Sequence, residues 1–291
     1  LTIKIHTIQD AINSVYNAGL ERGEILFRGQ VNCQWNIKPS LFRNKAFGIA
    51  DKYETVLYEH LLSGNHSIYT LSFDPIEHLI LLQHFDINTR LLDWTYDVLV
   101  ALFFSCYDPN NFYEQIDGNL IFVQKNHFPQ YPMNSSDKHI FKTIRNTDEY
   151  FNLFGKRTQI NQVFVLEPLI KNPRMRRQDG VFMIFPFYPL SLDDKCYASL
   201  ELYVNARNKL IKEINSGKPE QEQQQLVWIM HKLVDKDSKK NILIELDEKY
   251  GISFESLFIE NDIILKQKEY FEQIKTRADY KLEWLLKSIK K

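Results

Sequence analysis

The chain is predicted to fold as an α+β domain, a mixed or antiparallel central sheet flanked by helices, and three observations carry that prediction. Segments with helical and strand periodicity follow one another in the order helix, strand, helices, strand, helix, strands. One segment, DVLVALFFSCY from Asp97 to Tyr107, is apolar on nearly every side and long enough for a buried helix. Finally, 291 residues with 44% hydrophobic content and 13% aromatic content can bury a large core and are incompatible with disorder.

Each element has its own signal. Thr7, followed by Ile8, Ile12, Val15 and Tyr16, predicts a capped amphipathic helix ending near Gly19. Glu24 to Gln30, EILFRGQ, reads as a strand. Helical spacing returns from Asp51 to Leu62, and Asp74-Pro75 starts a second helix running through Phe85. Asn88 to Trp94 is β-like and leads into the apolar helix. Asp117-Gly118 turns the chain into the strand NLIFV, and two further strands are expected at Gln162 to Leu166 and Gly180 to Pro186. Ahead of the last lies PRMRRQDG, where strand alternation would put Arg174 and Arg176 on one face and Arg177 on the other.

From Leu192 the composition shifts to long polar and charged residues. The run EQEQQQ, Glu220 to Gln225, reads as a solvated helix or loop, NILIEL as strand-like, Ser253 to Ile259 as a short helix, and the stretch from about Asp262 as a charged amphipathic helix. The expected organisation is therefore a domain over residues 1–190 with a mainly helical part, 191–291, packed on it.

Composition excludes several function classes. A net charge of -1 creates no global field towards nucleic acid or anionic lipid. Three widely spaced cysteines, Cys33, Cys106 and Cys196, form neither a disulfide framework nor a zinc motif, so no metal is expected. The most apolar run, Val98 to Phe104, is far short of the ~20 residues that cross a bilayer. With no basic, apolar leader at the start, the expected location is the cytoplasm, away from membranes. Dinucleotide-fold, P-loop, zincin and hydrolase-elbow motifs do not occur.

Three polar clusters stand out. Arg28 sits inside an apolar strand, where a guanidinium needs either a carboxylate such as Asp93 or Glu54 or an anionic ligand. Beside it Gly29, lacking a Cβ, would let a ligand approach the backbone. The segment Gln83 to Thr95 crowds Gln83, His84, Asn88, Thr89, Arg90, Asp93, Trp94 and Thr95 against the apolar helix, either as a ligand site or as a satisfied core network. Arg174, Arg176, Arg177 and Gln178 form the third cluster, a solvated basic face or a phosphate-binding wall.

Taken together, LFRGQ, WNIKPSLFR (Trp35 to Arg43), QHFDINTRLLDWTYDVLVALFFS, DGN at Asp117 and PRMRRQDGVF resemble the blocks of the FRG domain family, over roughly residues 20–190. Their order is similar to that of Arg-Ser-Glu ADP-ribosyltransferases. That more distant resemblance implies an ADP-ribosyltransferase-like fold and an NAD co-substrate. It also implies an ADP-ribosyltransferase or NAD glycohydrolase activity of the bacterial toxin or phage-defence kind, with a macromolecular acceptor that is unknown. It places Arg28, Asp93, Gln178 and Asp179 at the chemistry, and Arg28, Gly29, Gln30, Gln83, His84, Thr89, Arg90, Thr95 and Arg174 around the nucleotide. The catalytic Glu of those enzymes would fall at Gly180, where the chain has no carboxylate. The alternative is a ligand-sensing or interaction module that uses the same pocket without chemistry.

Overall fold

The computed structural model describes residues 4–16, 24–43, 75–131, 163–168, 171–185, 199–216, 218–219 and 225–258, together with 272, 276 and 280. The helix expected from Asp51 to Leu62, residue Glu54, most of the EQEQQQ run and almost all of the helix expected from Asp262 lie outside the described residues.

In chain order the elements are α1 (Ile8–Tyr16), β1 (Ile25–Gln30), α2 (Ser40–Arg43), α3 (Pro75–His84), β2 (Leu91–Thr95), α4 (Val98–Cys106), β3 (Gly118–Gln124), β4 (Phe164–Leu166), α5 (Pro173–Arg177), β5 (Gly180–Ile184), α6 (Leu200–Asn215), β6 (Ile229–Val234), α7 (Lys239–Tyr250) and α8 (Phe254–Leu257). The six described strands form one sheet in the order β4-β5-β2-β1-β3-β6, each antiparallel to its neighbours. This is the α+β class expected, with the antiparallel form of the sheet realised. No helix among the described residues is long and apolar enough to cross a membrane.

Alternation along the strands divides the core into two layers. Ile25, Phe27, Leu120 and Phe122 meet α1, α4 and α7 on one face, while Leu26, Ile121 and Val123 join residues of α2, α3 and α6 on the other. Asp97 caps α4 by accepting from the Leu99 N–H at 2.7 Å, and the helix then lies directly on the sheet. It does so at two glycines. A Cβ at Gly29 would overlap the Ala101 carbonyl oxygen and come within 2.6 Å of the Ser105 nitrogen, and one at Gly118 would overlap the Ser105 carbonyl oxygen.

The middle of the sheet is joined far less than its flanks. β1 and β2 share one register pair, Phe27 with Thr95, against six for β1 with β3 and five for β2 with β5. The strands therefore part beyond that pair.

Two sequence expectations need correction. PRMRR is a helix rather than an alternating strand approach, because Asn172 caps it by accepting from the Met175 N–H at 2.8 Å and Pro173 supplies its first residue. NILIEL lies within α7, where Ile242 and Leu246, four apart, bury one helical face and Gly251 ends the helix at φ 64°. Beyond residue 190 the described elements are α6, β6, α7 and α8, and β6 pairs with β3 along its whole length. Ile5 then bridges to Val234 on the outer side of β6.

Candidate functional site

Where β1 and β2 part, a cleft of about 200 Å³ opens. Arg28 and Gly29 line it from β1, Asp93 and Thr95 from β2, Gln83 and Asp86 from the end of α3, and Arg174 and Gln178 from α5 and its cap; Phe27, Trp94, Val100 and Phe104 give it an apolar lining. The three polar clusters of the sequence thus meet in one place.

Arg28 donates from Nη1 to the Asp93 carbonyl oxygen at 2.6 Å. Among the described residues it forms no ion pair, and its Nε is buried without a hydrogen-bond partner. Burial lowers its pKa to about 10, the negative charge of Asp93 works against that, and the nearby Arg43 adds to it, so the group is a cation at neutral pH. A half-buried cation that spends one hydrogen bond on a carbonyl is held ready for an anion.

The Asp93 carboxylate turns to Gln83, whose Nε2 donates to Oδ2 at 2.9 Å. Gln83 Oε1 in turn accepts from Thr89 Oγ1 at 2.5 Å, and that hydroxyl accepts from the Leu91 N–H at 3.1 Å. The Thr89 backbone is clamped as well, its N–H donating to Ser40 Oγ at 3.1 Å and its carbonyl accepting from the Leu41 N–H at 3.1 Å. Asp93 Oδ1 has no hydrogen bond among the described residues.

On the opposite wall Thr95 Oγ1 donates to the Gln178 carbonyl at 2.6 Å, and the Gln178 side chain donates to the Leu257 carbonyl at 3.2 Å. Arg174 lies over the Phe258 ring, 4.3 Å from its centre, and donates to the His84 carbonyl at 3.4 Å. His84 itself is buried behind this wall. Asn172 uses its oxygen to cap α5, so its amide nitrogen faces His84 Nδ1 at 3.4 Å and the ring proton sits at Nε2. That Nε2 is buried without a partner among the described residues. Burial, reinforced by Arg174, lowers the His84 pKa to about 4.

Not every expected site residue reaches the cleft. Gln30 is buried and donates to the Asn36 carbonyl at 3.4 Å, Arg90 is 1% exposed in the core, and Thr89 acts from behind Gln83. Asp179 occupies the turn into β5 at φ 43° and pairs with Lys171 at 3.6 Å. At Gly29 the close approach is made by the backbone of α4 rather than by a ligand, although the residue still borders the cleft. Asp86, held at φ 55° just beyond α3, was not foreseen, and neither were the contacts from Leu257 and Phe258. A positive φ at Asp86 had no sequence mark beyond the residue type, and the C-terminal contacts are set by tertiary packing alone.

No group of three or more His, Cys, Asp or Glu side chains among the described residues is placed to hold a metal ion. What the arrangement offers is two cations, two carboxylates, of which Asp93 has one uncommitted oxygen, and an apolar wall.

The family model for the FRG domain matches residues 23–114. The match takes in Arg28 and the whole Gln83 to Thr95 segment, and it ends before Arg174 and Gln178. No curated protein and no solved structure matches the chain.

Proposed function

We propose that the cleft binds NAD through its diphosphate and is the active site of an ADP-ribosyltransferase-like, NAD-consuming enzyme of the bacterial toxin or phage-defence kind. One observation carries the reading: Arg28 Nε and Trp94 Nε1 are buried N–H donors without partners, on residues that line one cleft. Each such donor costs about 1–3 kcal/mol when left unpaired. A site so rich in donors is stabilised by a multiply charged anion.

In this reading Arg28 and Arg174 hold the diphosphate and the apolar wall takes the nicotinamide. The bond between ribose C1' and the nicotinamide nitrogen breaks, and its electron pair leaves with the neutral nicotinamide. Positive charge then develops on C1' and the ring oxygen, next to Asp93 Oδ1. Water or an acceptor nucleophile adds to C1' and loses its proton. The cleft is smaller than the ~300–1,000 Å³ usual for ligand pockets, so it encloses the diphosphate and reacting ribose and leaves the adenosine end outside.

A second reading, a module that binds the same ligand without turnover, is favoured by Gly180, the position where the resemblance puts the catalytic Glu. Calorimetry with NAD and an assay for released nicotinamide separate the two. Binding and release that both vanish in Arg28→Ala support the enzyme. Binding without release supports the module, and neither in the wild type removes both.

A further inference from the structure

We propose that Gln83 and Thr89 are positioning residues that aim the Asp93 carboxylate into the cleft, rather than contacts to the ligand. This rests on the NAD reading only for its effect on turnover. The hydrogen bonds themselves fix the direction of the chain. Leu91 N–H donates to Thr89 Oγ1, which occupies a lone pair of the hydroxyl. The hydroxyl has one proton, and it goes to Gln83 Oε1. The amide can then present only its NH2 group to Asp93 Oδ2, which as a carboxylate oxygen accepts.

No link can reverse without leaving two acceptors facing each other. Thr89 is fully buried and its backbone is tied to Ser40 and Leu41 of α2, so the start of the chain is rigid. At the far end the Asp93 backbone is tied to Arg28. Asp93 is therefore held at its carbonyl by the group assigned to the anion and at Oδ2 by the relay. Oδ1 is left for the developing charge. One carboxylate in one rotamer is what a reaction needs when the usual catalytic Glu is missing.

The test compares Thr89→Val, which keeps the shape and removes the proton, with Thr89→Ser, which restores it. Gln83→Met serves as a second route should Thr89→Val fail to fold. Two readouts are taken on the full chain: the side-chain amide signal of Gln83 by NMR, and kcat and KM for nicotinamide release from NAD. Expected in Thr89→Val are loss of the protected Gln83 amide signal and a fall in kcat of about tenfold to a hundredfold, in the range for groups that orient a reacting one, with KM unchanged. Thr89→Ser keeps the signal and recovers kcat, and Gln83→Met reproduces the fall. A Gln83 amide equally protected in wild type and Thr89→Val overturns the relay, as does an unchanged kcat in both Thr89→Val and Gln83→Met. A wild type that releases no nicotinamide removes the NAD reading alone, and the amide signal still decides the relay.

Discussion

Arg28 and Asp93 face each other across the cleft without forming an ion pair: the guanidinium bonds the Asp93 main-chain carbonyl at 2.6 Å, while the carboxylate goes to Gln83. Both charges are thereby kept available. A structural salt bridge would have neutralised them.

The first prediction separates function from stability. Arg28→Met removes a charge whose burial is unfavourable and replaces it with apolar volume, a change that is often neutral or stabilising. Its melting temperature is expected within a few degrees of wild type or above it. Affinity for NAD should fall by about tenfold or more, the scale of a charge-assisted hydrogen bond. A thermal scan and calorimetry on the same preparation check both, and a melting temperature lowered by ten degrees would restore the salt-bridge interpretation.

The second concerns the two carboxylates that the sequence places at the chemistry. Asp93→Asn should keep NAD affinity and lose turnover by about a hundredfold, comparable to removing one group aimed at transition-state charge. Asp179→Asn should change neither, since Asp179 faces Lys171 in an exposed turn and Asn tolerates its φ of 43°. Steady-state nicotinamide release measures the contrast.

The outline of the fold was legible where one signal dominates. The apolar run from Asp97 to Tyr107 defined α4, and Asp117-Gly118 marked the start of β3. In the arginine cluster Asn172-Pro173, a cap and first residue, starts a helix that overrides strand alternation. NILIEL contains β-branched residues, and only the Gly251 stop and the four-residue spacing of Ile242 and Leu246 reveal its helix. β6 is an edge strand with partly exposed side chains, so its alternation is muted. Within the site, Arg28 and Asp93 could be found as charges out of place. Asp86 in the cleft and Phe258 under Arg174 could not, because nothing local marks either contact.

A third prediction tests the seat of α4. Gly29→Ala drives a methyl group into the Ala101 carbonyl and against the Ser105 nitrogen, and neither backbone atom can turn aside. Overpacking of this kind costs about 3 kcal/mol. Denaturant unfolding should show that loss, with the slope unchanged. A variant as stable as wild type would mean that the helix slides on the sheet.

The fourth follows from His84. Its folded pKa of about 4 lies below the ordinary 6.5 because burial, aided by Arg174, disfavours the charged ring. As pH falls below 6.5 the unfolded chain takes up a proton that the folded chain refuses, so stability is lost between about pH 6.5 and pH 4. At ~1.4 kcal/mol per pKa unit the loss approaches about 3 kcal/mol. Unfolding free energies across this window, compared with those of His84→Gln, should show the slope in the wild type and a flatter profile in the variant.

The single register pair between β1 and β2 has a mechanical meaning. Phe27 and Thr95 form the crease between two plates, β4-β5-β2 on one side and β1-β3-β6 on the other, each internally braced by long ladders. Beyond that pair the plates are tied by the hydrogen bond from Arg28 on one to the Asp93 carbonyl on the other, at 2.6 Å. The seam at Phe27 and Thr95 thus leans on a side-chain bond and a shared core where its flanks lean on backbone ladders.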